Sequence, residues 1–255
     1  MPELYNNAWF EIRKRVAAAR LRLFCFPYAG ASAAVFSDWW RSLPLDVEVI
    51  CIQYPGRSTR FADKPVSSLA AMLEALLPEV RPFVDLPYAF FGHSIGALVS
   101  FELARALQQE GNFLQRHHFI SGRRAIHLPR NQNQSPLHEF SDALLLEEIA
   151  RMGGTPEEAL SHPEIMQLHL PTLRADFALG ETYVYHHSAR LKCDATLLYG
   201  LRDRGIAEAD VLRWSELIDG KVDAVAQDGD HFFVNTHKRE VLRIIHQKLG
   251  ESLRR

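Results

Sequence analysis

Six short stretches of this chain read as strands, and each runs into a turn rich in glycine, proline or aspartate. They are Leu21 to Phe26, Val47 to Gln53, Tyr88 to Phe91, His118 to Ser121, Ala195 to Tyr199 and Val222 to Val225. Leu21 to Phe26 and Val47 to Gln53 are near-continuous apolar or β-branched runs, which predicts parallel strands covered on both faces. Between the six stretches the apolar period lengthens to three and four residues. Helices are predicted from Ser67 to Val80, along Ala97, Leu98, Phe101, Ala104 and Leu107, from Val211 to Ile218, and from Thr236 to about Leu249, with another through Trp39. Strand and helix alternate, which predicts an α/β architecture with a mostly parallel central sheet between helices.

The alternation breaks over residues 128–187. No strand pattern occurs there, yet sheet strands are predicted on both sides. Ser141 is placed to cap a helix through Ile149. Thr155, with Pro156 at the first helical position and Glu158 three residues on, reads as a capping box. Leu160, Ile165, Met166, Leu168, Leu170, Leu173, Phe177 and Leu179 supply apolar surface, so a helical insertion is expected. Asn131 to Gln134 reads as a loop, and no internal repeat or low-complexity segment is found.

Candidate chemistry lies where the third predicted strand ends. Tyr88 to Phe91 runs into Gly92-His93-Ser94-Ile95-Gly96, and a helical pattern begins at once. A serine on so sharp a strand-to-helix turn has its backbone strained and its hydroxyl held out at the carboxyl end of the sheet. Serine is a weak nucleophile and needs a base, which in turn needs an orienting group. The α/β-hydrolase fold supplies these in the chain order serine, acid, histidine. Asp203 follows the strand closed by Gly200, and His231 lies in the Gln227 to Phe233 loop before the last helix.

Other candidates fit worse. Asp194 precedes its strand and falls at the wrong end of the sheet. Asp230 adjoins His231, and neighbouring side chains rarely face one another; Asp228 is the remaining rival. His93 is next to the serine and points away from its hydroxyl, while His117-His118 and His186-His187 look like element boundaries. The backbone N–H of Ile95, just after the serine, is the expected oxyanion donor.

Beyond the serine motif the chain resembles the type II (editing) thioesterases that accompany nonribosomal peptide and polyketide synthases. The resemblance covers roughly Leu21 to Leu249. It is carried by Phe24-Cys25-Phe26-Pro27-Tyr28-Ala29-Gly30, Gln53-Tyr54-Pro55-Gly56-Arg57 and the serine segment Phe91 to Arg105. Gly153-Gly154-Thr155-Pro156-Glu157-Glu158, Leu170 to Phe177 and His231-Phe232-Phe233 complete it. It implies a single α/β-hydrolase domain over 1–255 with residues 128–187 as a helical lid, and the backbone of Ala29 as second oxyanion donor. It also implies hydrolysis of stalled or aberrant acyl groups from the phosphopantetheine arm of acyl or peptidyl carrier proteins, with no cofactor and no metal. Two positions depart from the family pattern. Ala31 follows Gly30 where a second glycine is common, and Tyr28 stands where histidine is common.

Composition narrows this little. With 255 residues, 47% of them hydrophobic, the chain can bury a large single core. A net charge of −2 gives no overall field toward nucleic acid or membrane. The basic cluster Arg13-Lys14-Arg15, Arg20 and Arg22 reads as a solvated helix face. Cys25, Cys51 and Cys193 form no paired motif, and no signal peptide or membrane span is evident, so a cytoplasmic monomer is expected. Arg123, Arg124 and Arg202, near predicted strand ends, are candidate contacts for an acidic carrier surface. A carboxylesterase or lipase on the same fold, and a catalytically inactive carrier-docking module, are the alternatives. Against the esterase stands the lack of a His-Gly-Gly-Gly segment, and against the inactive module stands the intact Ser94, Asp203 and His231 set.

Overall fold

The structure, a computed structural model, describes residues 7–129, 135–154 and 162–254. Seven strands form one sheet: β1 (Phe10–Glu11), β2 (Leu21–Phe26), β3 (Val47–Ile52), β4 (Tyr88–His93), β5 (Gln115–Ser121), β6 (Asp194–Gly200) and β7 (Val222–Gln227). Their order is β1-β3-β2-β4-β5-β6-β7, with β1 antiparallel to β3 and every other pair parallel. The helices are α1 (Leu69–Val80), α2 (Ile95–Gln109), α3 (Asp142–Met152), α4 (Pro163–Glu181), α5 (Glu208–Leu212), α6 (Phe233–Thr236) and α7 (Lys238–Leu253).

Alternate strand residues serve opposite cores, which is why the strands read as unbroken apolar runs. Leu21, Leu23 and Cys25 of β2 pack with Phe36, Trp39 and the apolar stripe Val241, Ile245 and Leu249 of α7. Phe24 and Phe26 face the other way, against Phe101 and Leu98 of α2 and Met72 and Leu76 of α1. Burying a side chain of this size contributes about 1.5–3 kcal/mol, so the sandwich is set by the sheet's two apolar faces. Serine side chains cap two helices: Ser68 Oγ accepts from the Ala71 amide at 3.3 Å, and Ser141 Oγ from the Leu144 amide at 3.4 Å.

Several expectations are corrected. The segment around Trp39 is two short 3-10 turns, Ala33–Phe36 and Trp39–Arg41, anchored by the buried rings of Phe36 and Trp39. The helix expected over Val211 to Ile218 is split into α5 and a 3-10 turn, Arg213–Leu217. The basic cluster lies on no helix; Arg22 sits in β2 and pairs with Glu48 and Asp85. His117 and His118 are interior to β5 rather than at its boundary. The Thr155 capping box and the Asn131–Gln134 loop fall outside the described residues.

His117, His118 and His93 are buried and held by neutral partners. His117 Nε2 lies 2.8 Å from Thr196 Oγ1, and His93 Nδ1 2.8 Å from Ser121 Oγ. His118 Nδ1 accepts from Gln115 Nε2 at 3.1 Å, which leaves its Nε2–H to donate to Ser100 Oγ at 3.0 Å. Burial pushes His117 down to about 4 and His118 to about 3. Burial, then the charge of His231, holds His93 well below the usual histidine range.

A histidine kept neutral in the fold binds its proton only on unfolding. Its stabilising contribution is present above about pH 6.5 and is lost as pH falls toward the lowered value. Urea midpoints at about pH 7.5 and about pH 5.5 should therefore differ, by about 1.4 kcal/mol of unfolding free energy per buried histidine. Equal stabilities would contradict neutral burial. A second expectation concerns backbone proximity at the serine turn. A Cβ on Gly96 would lie 2.2 Å from the Phe26 carbonyl oxygen, so Gly96→Ala should cost about 1–3 kcal/mol. Gly250→Ala, in α7 with its nearest neighbour 3.7 Å away, should instead gain about 0.5–1 kcal/mol in thermal or urea unfolding.

Candidate active site

The carboxyl ends of β4, β6 and β7 bring together the three side chains singled out from sequence. Ser94 lies between β4 and α2 with φ 55° and ψ −115°, a strained conformation for a residue with a Cβ. Its amide donates to the Ser121 carbonyl at 2.8 Å, tying the turn to the end of β5. Gly92 and Gly96 allow the turn: a Cβ on Gly92 would meet the Gly96 carbonyl oxygen at 2.3 Å. Ile95 opens α2, so its N–H has no acceptor within the helix and is free to face a ligand.

Asp203 follows β6 and His231 follows β7. His231 Nδ1 lies 2.6 Å from Asp203 Oδ2, and the Asp203 carboxylate is only 4% exposed. Asp203 Oδ1 accepts from the Gly205 amide at 2.9 Å, so both carboxylate oxygens are occupied. With Nδ1–H donated to the acid, Nε2 of the neutral ring carries the lone pair. The rival acids lie elsewhere. Asp228 pairs with Arg202, Asp230 caps the Phe232 amide at 2.8 Å, and Asp194 accepts from the Lys221 amide at 3.0 Å at the start of β6. The basic character of the Leu201 to Gly205 loop is thus directed partly at Asp228 rather than at Asp203.

Ser94 and His231 line one narrow cavity with Tyr28, Ala29, Leu173 and Phe232. Ile149, Met152, Gly153 and Gly154, from the end of α3, and Phe177 of α4 complete its wall. The α3–α4 segment has its own apolar cluster of Leu145, Ile149, Met166 and Leu170. Tyr28 donates no bond to the triad candidates; its hydroxyl accepts from Asn235 at 2.9 Å and its ring packs on Phe232. His93 lies behind the site, its ring centroid 5.2 Å from that of His231. The buried Ser–His hydrogen bonds already described, His93–Ser121 and Ser100–His118, do not involve Ser94.

A larger cavity, about 460 Å³, lies among Phe101, Arg105, His127, Tyr185 and Glu216. It contains none of the three candidates. Of its charged groups, Arg105 bonds Glu102 and the His186 carbonyl, and His127 bonds Glu216; Arg190 lines it too. The smaller cavity, by contrast, is lined by two of them, Ser94 and His231, from the three candidates. Among the arginines considered for docking, Arg124 pairs with Asp210 and Arg202 with Asp228, while Arg123 packs beside Gly180.

Sequence reasoning missed one feature of the site. Arg57 and Asp176 form a buried two-pronged ion pair, Nη1–Oδ2 at 2.6 Å and Nη2–Oδ1 at 2.7 Å, and Asp176 Oδ2 also accepts from the Gly30 amide at 2.8 Å. Both residues stand in segments that carry the family resemblance, but nothing local says that they meet.

A thioesterase-domain family model matches residues 21–249. The gramicidin S biosynthesis protein GrsT of Aneurinibacillus migulanus is 37% identical over 95% of this chain and 94% of its own length. The thioesterase PikA5 of Streptomyces venezuelae is 36% identical over 96% of this chain and 86% of its own. The solved structure of BorB, a type II thioesterase from the borrelidin biosynthetic cluster, superimposes with a TM-score of 0.87 at 31% identity, covering 95% of this chain and 98% of that one. Fold, serine turn and end-to-end similarity agree: the chain belongs to the thioesterase family and stands among its type II members.

Proposed function

We propose that this thioesterase hydrolyses stalled or aberrant acyl groups from the phosphopantetheine arm of acyl or peptidyl carrier proteins, with Ser94 as nucleophile, His231 as general base and Asp203 as the orienting acid. The observation that carries this reading is the strained Ser94 turn opening on the same cavity as a histidine whose Nδ1 is held by a buried carboxylate. The carrier partners are inferred from solved relatives of the colibactin and yersiniabactin NRPS/PKS pathways, ClbQ and YbtT, 28% and 30% identical to this chain.

In this mechanism His231 Nε2 takes the Ser94 proton as Oγ attacks the thioester carbonyl. Asp203 holds the working tautomer and stabilises the imidazolium. Charge develops on the carbonyl oxygen and is met by the amides of Ile95 and Ala29. Collapse breaks the carbon–sulfur bond, and the pantetheine thiol departs with the proton from His231. A water, deprotonated by His231, then attacks the acyl-enzyme. A second tetrahedral species collapses to the free acid and regenerates Ser94.

Residues 128–187 act in this reading as a lid on a single domain spanning 1–255. Ile149, Met152, Gly153 and Gly154 on the cavity wall support that role, since closing such a roof excludes bulk water from the acyl-enzyme. The protein works in this reading as a monomer in a reducing compartment, and the compartment accords with three buried free thiols at Cys25, Cys51 and Cys193. Among the described residues no helix is long and apolar enough to cross a membrane.

The test is hydrolysis of acyl-loaded carrier protein followed by intact mass. The wild-type enzyme should release the acyl group faster than it cleaves a simple oxygen ester of the same acid. Ser94→Ala should lose about 10⁶-fold in turnover, and Asp203→Asn about 10⁴-fold through the wrong tautomer. A Ser94→Ala protein with near-normal single-turnover rate would refute the nucleophile. Preference for the oxygen ester would refute the substrate class.

A further inference from the structure

The geometry points to Arg57 and Asp176 as positioning residues that set the direction of the Ala29 oxyanion donor, through the turn that carries it. This rests on the reading of Ala29 as a donor, and it adds a residue pair to which that reading assigns nothing.

The loop after β2 closes as a four-residue turn, with the Ala31 amide donating to the Tyr28 carbonyl at 3.0 Å. Gly30 occupies its third position with φ +76°, the requirement of a type II turn. Types I and II differ in which way the central peptide faces. Here the central peptide joins Ala29 to Gly30, and its N–H belongs to Gly30. That N–H donates to Asp176 Oδ2 at 2.8 Å. Turning the peptide over would break this charge-assisted bond and leave Asp176 Oδ2 with Arg57 Nη1 alone. Asp176 thereby holds one side of Ala29 in place.

Arg57 holds Asp176 with two bonds, and its Nη1 also donates to the Ala31 carbonyl at 3.3 Å. The pair therefore grips the turn on both sides of Gly30. Arg57 is itself fixed, since its Nε donates to the Pro55 carbonyl at 3.3 Å and its own carbonyl accepts from Gln53 Nε2 at 3.1 Å. The Gln53 side chain in turn accepts from the Ala33 amide at 3.1 Å. One turn further back on α4, Thr172 Oγ1 donates to the Gly56 carbonyl at 2.6 Å. Two segments distant in sequence thus meet on the loop carrying the donor.

Stability alone gives no reason for an ion pair here. Both side chains are at most 3% exposed, and a buried pair of this kind is often replaced by apolar residues without loss of stability. What an apolar pair cannot do is accept from the Gly30 amide. A donor displaced by a fraction of an ångström stabilises a developing charge poorly while ground-state binding survives.

The experiment uses Arg57→Met combined with Asp176→Leu, because Asp176→Asn alone strands a buried guanidinium and can unfold the protein. The double variant should remain folded, with a lower melting temperature that reflects the partners lost by the Gly30 amide and the Ala31 and Pro55 carbonyls. Its kcat on an acyl-pantetheine thioester should fall about 10- to 100-fold, with KM changed by less than about threefold. Its affinity for an alkylboronic acid, whose adduct on Ser94 presents an oxygen to the same donors, should fall in step with kcat. A folded double variant with unchanged kcat and boronate affinity overturns the proposal. So does a wild-type protein whose Gly30 amide proton, read by NMR, is neither shifted downfield nor slow to exchange, a result that needs no variant. Ser94→Ala in the same assay reports on the parent reading. If it stays active the nucleophile is wrong, whereas an inactive Ser94→Ala beside an unaffected double variant removes only the clamp.

Discussion

A residue with a Cβ is held at positive φ where β4 becomes α2, and the rest of the site is arranged around that strain. Backbone in this region costs of order 1–3 kcal/mol and persists only where its surroundings over-determine it. Here the bond from the Ser94 amide to Ser121 and the near-contact of Gly92 with Gly96 do so. The same turn fixes three things together: the outward direction of the serine side chain, the unpaired amide of Ile95, and the start of α2 against Phe26. The site thus inherits its rigidity from the sheet, whose central strands are buried on both faces.

Much of this was legible in the order of apolar runs, and the reason is physical. Leu21 to Phe26 and Tyr88 to Phe91 face two cores alternately, so nearly every position is apolar and the strands stand out. The serine turn declares itself through two small residues and an abrupt change of period. What failed to show is equally explicable. Phe10–Glu11 is a two-residue edge strand, too short to have a period. His117 and His118 look like the polar end of an element, but Thr196, Ser100 and Gln115 satisfy them inside it. Position favoured Asp203 over its neighbours, but that Arg202 pairs with Asp228 is a matter of side-chain partners, which spacing does not show.

The Arg57–Asp176 pair shows the limit most sharply. Its members are 119 residues apart, and each belongs to a segment that marks the family by composition alone. Their meeting accounts for why these segments should travel together: one lies after β3, the other in the middle of α4, and both close on the turn at Gly30. The Gly153–Gly154 segment contributes differently, by forming cavity wall at the end of α3. The narrow family signatures are therefore the parts that shape the serine's surroundings, while the broad α/β pattern builds the platform beneath them. The three buried histidines, kept neutral by burial, belong to that platform, and His93 adjoins His231 without sharing its carboxylate.

The central claim is that one carbonyl is attacked by Ser94 while its oxygen is received by the amides of Ala29 and Ile95. It is tested most directly by a crystal structure of the enzyme inactivated with an acyl phosphonate. The account predicts a covalent bond to Ser94 Oγ and a phosphonyl oxygen about 2.7–3.1 Å from both amide nitrogens, with the His231 imidazole facing the leaving-group side. An adduct on another residue, or a phosphonyl oxygen turned to solvent away from both amides, would contradict it.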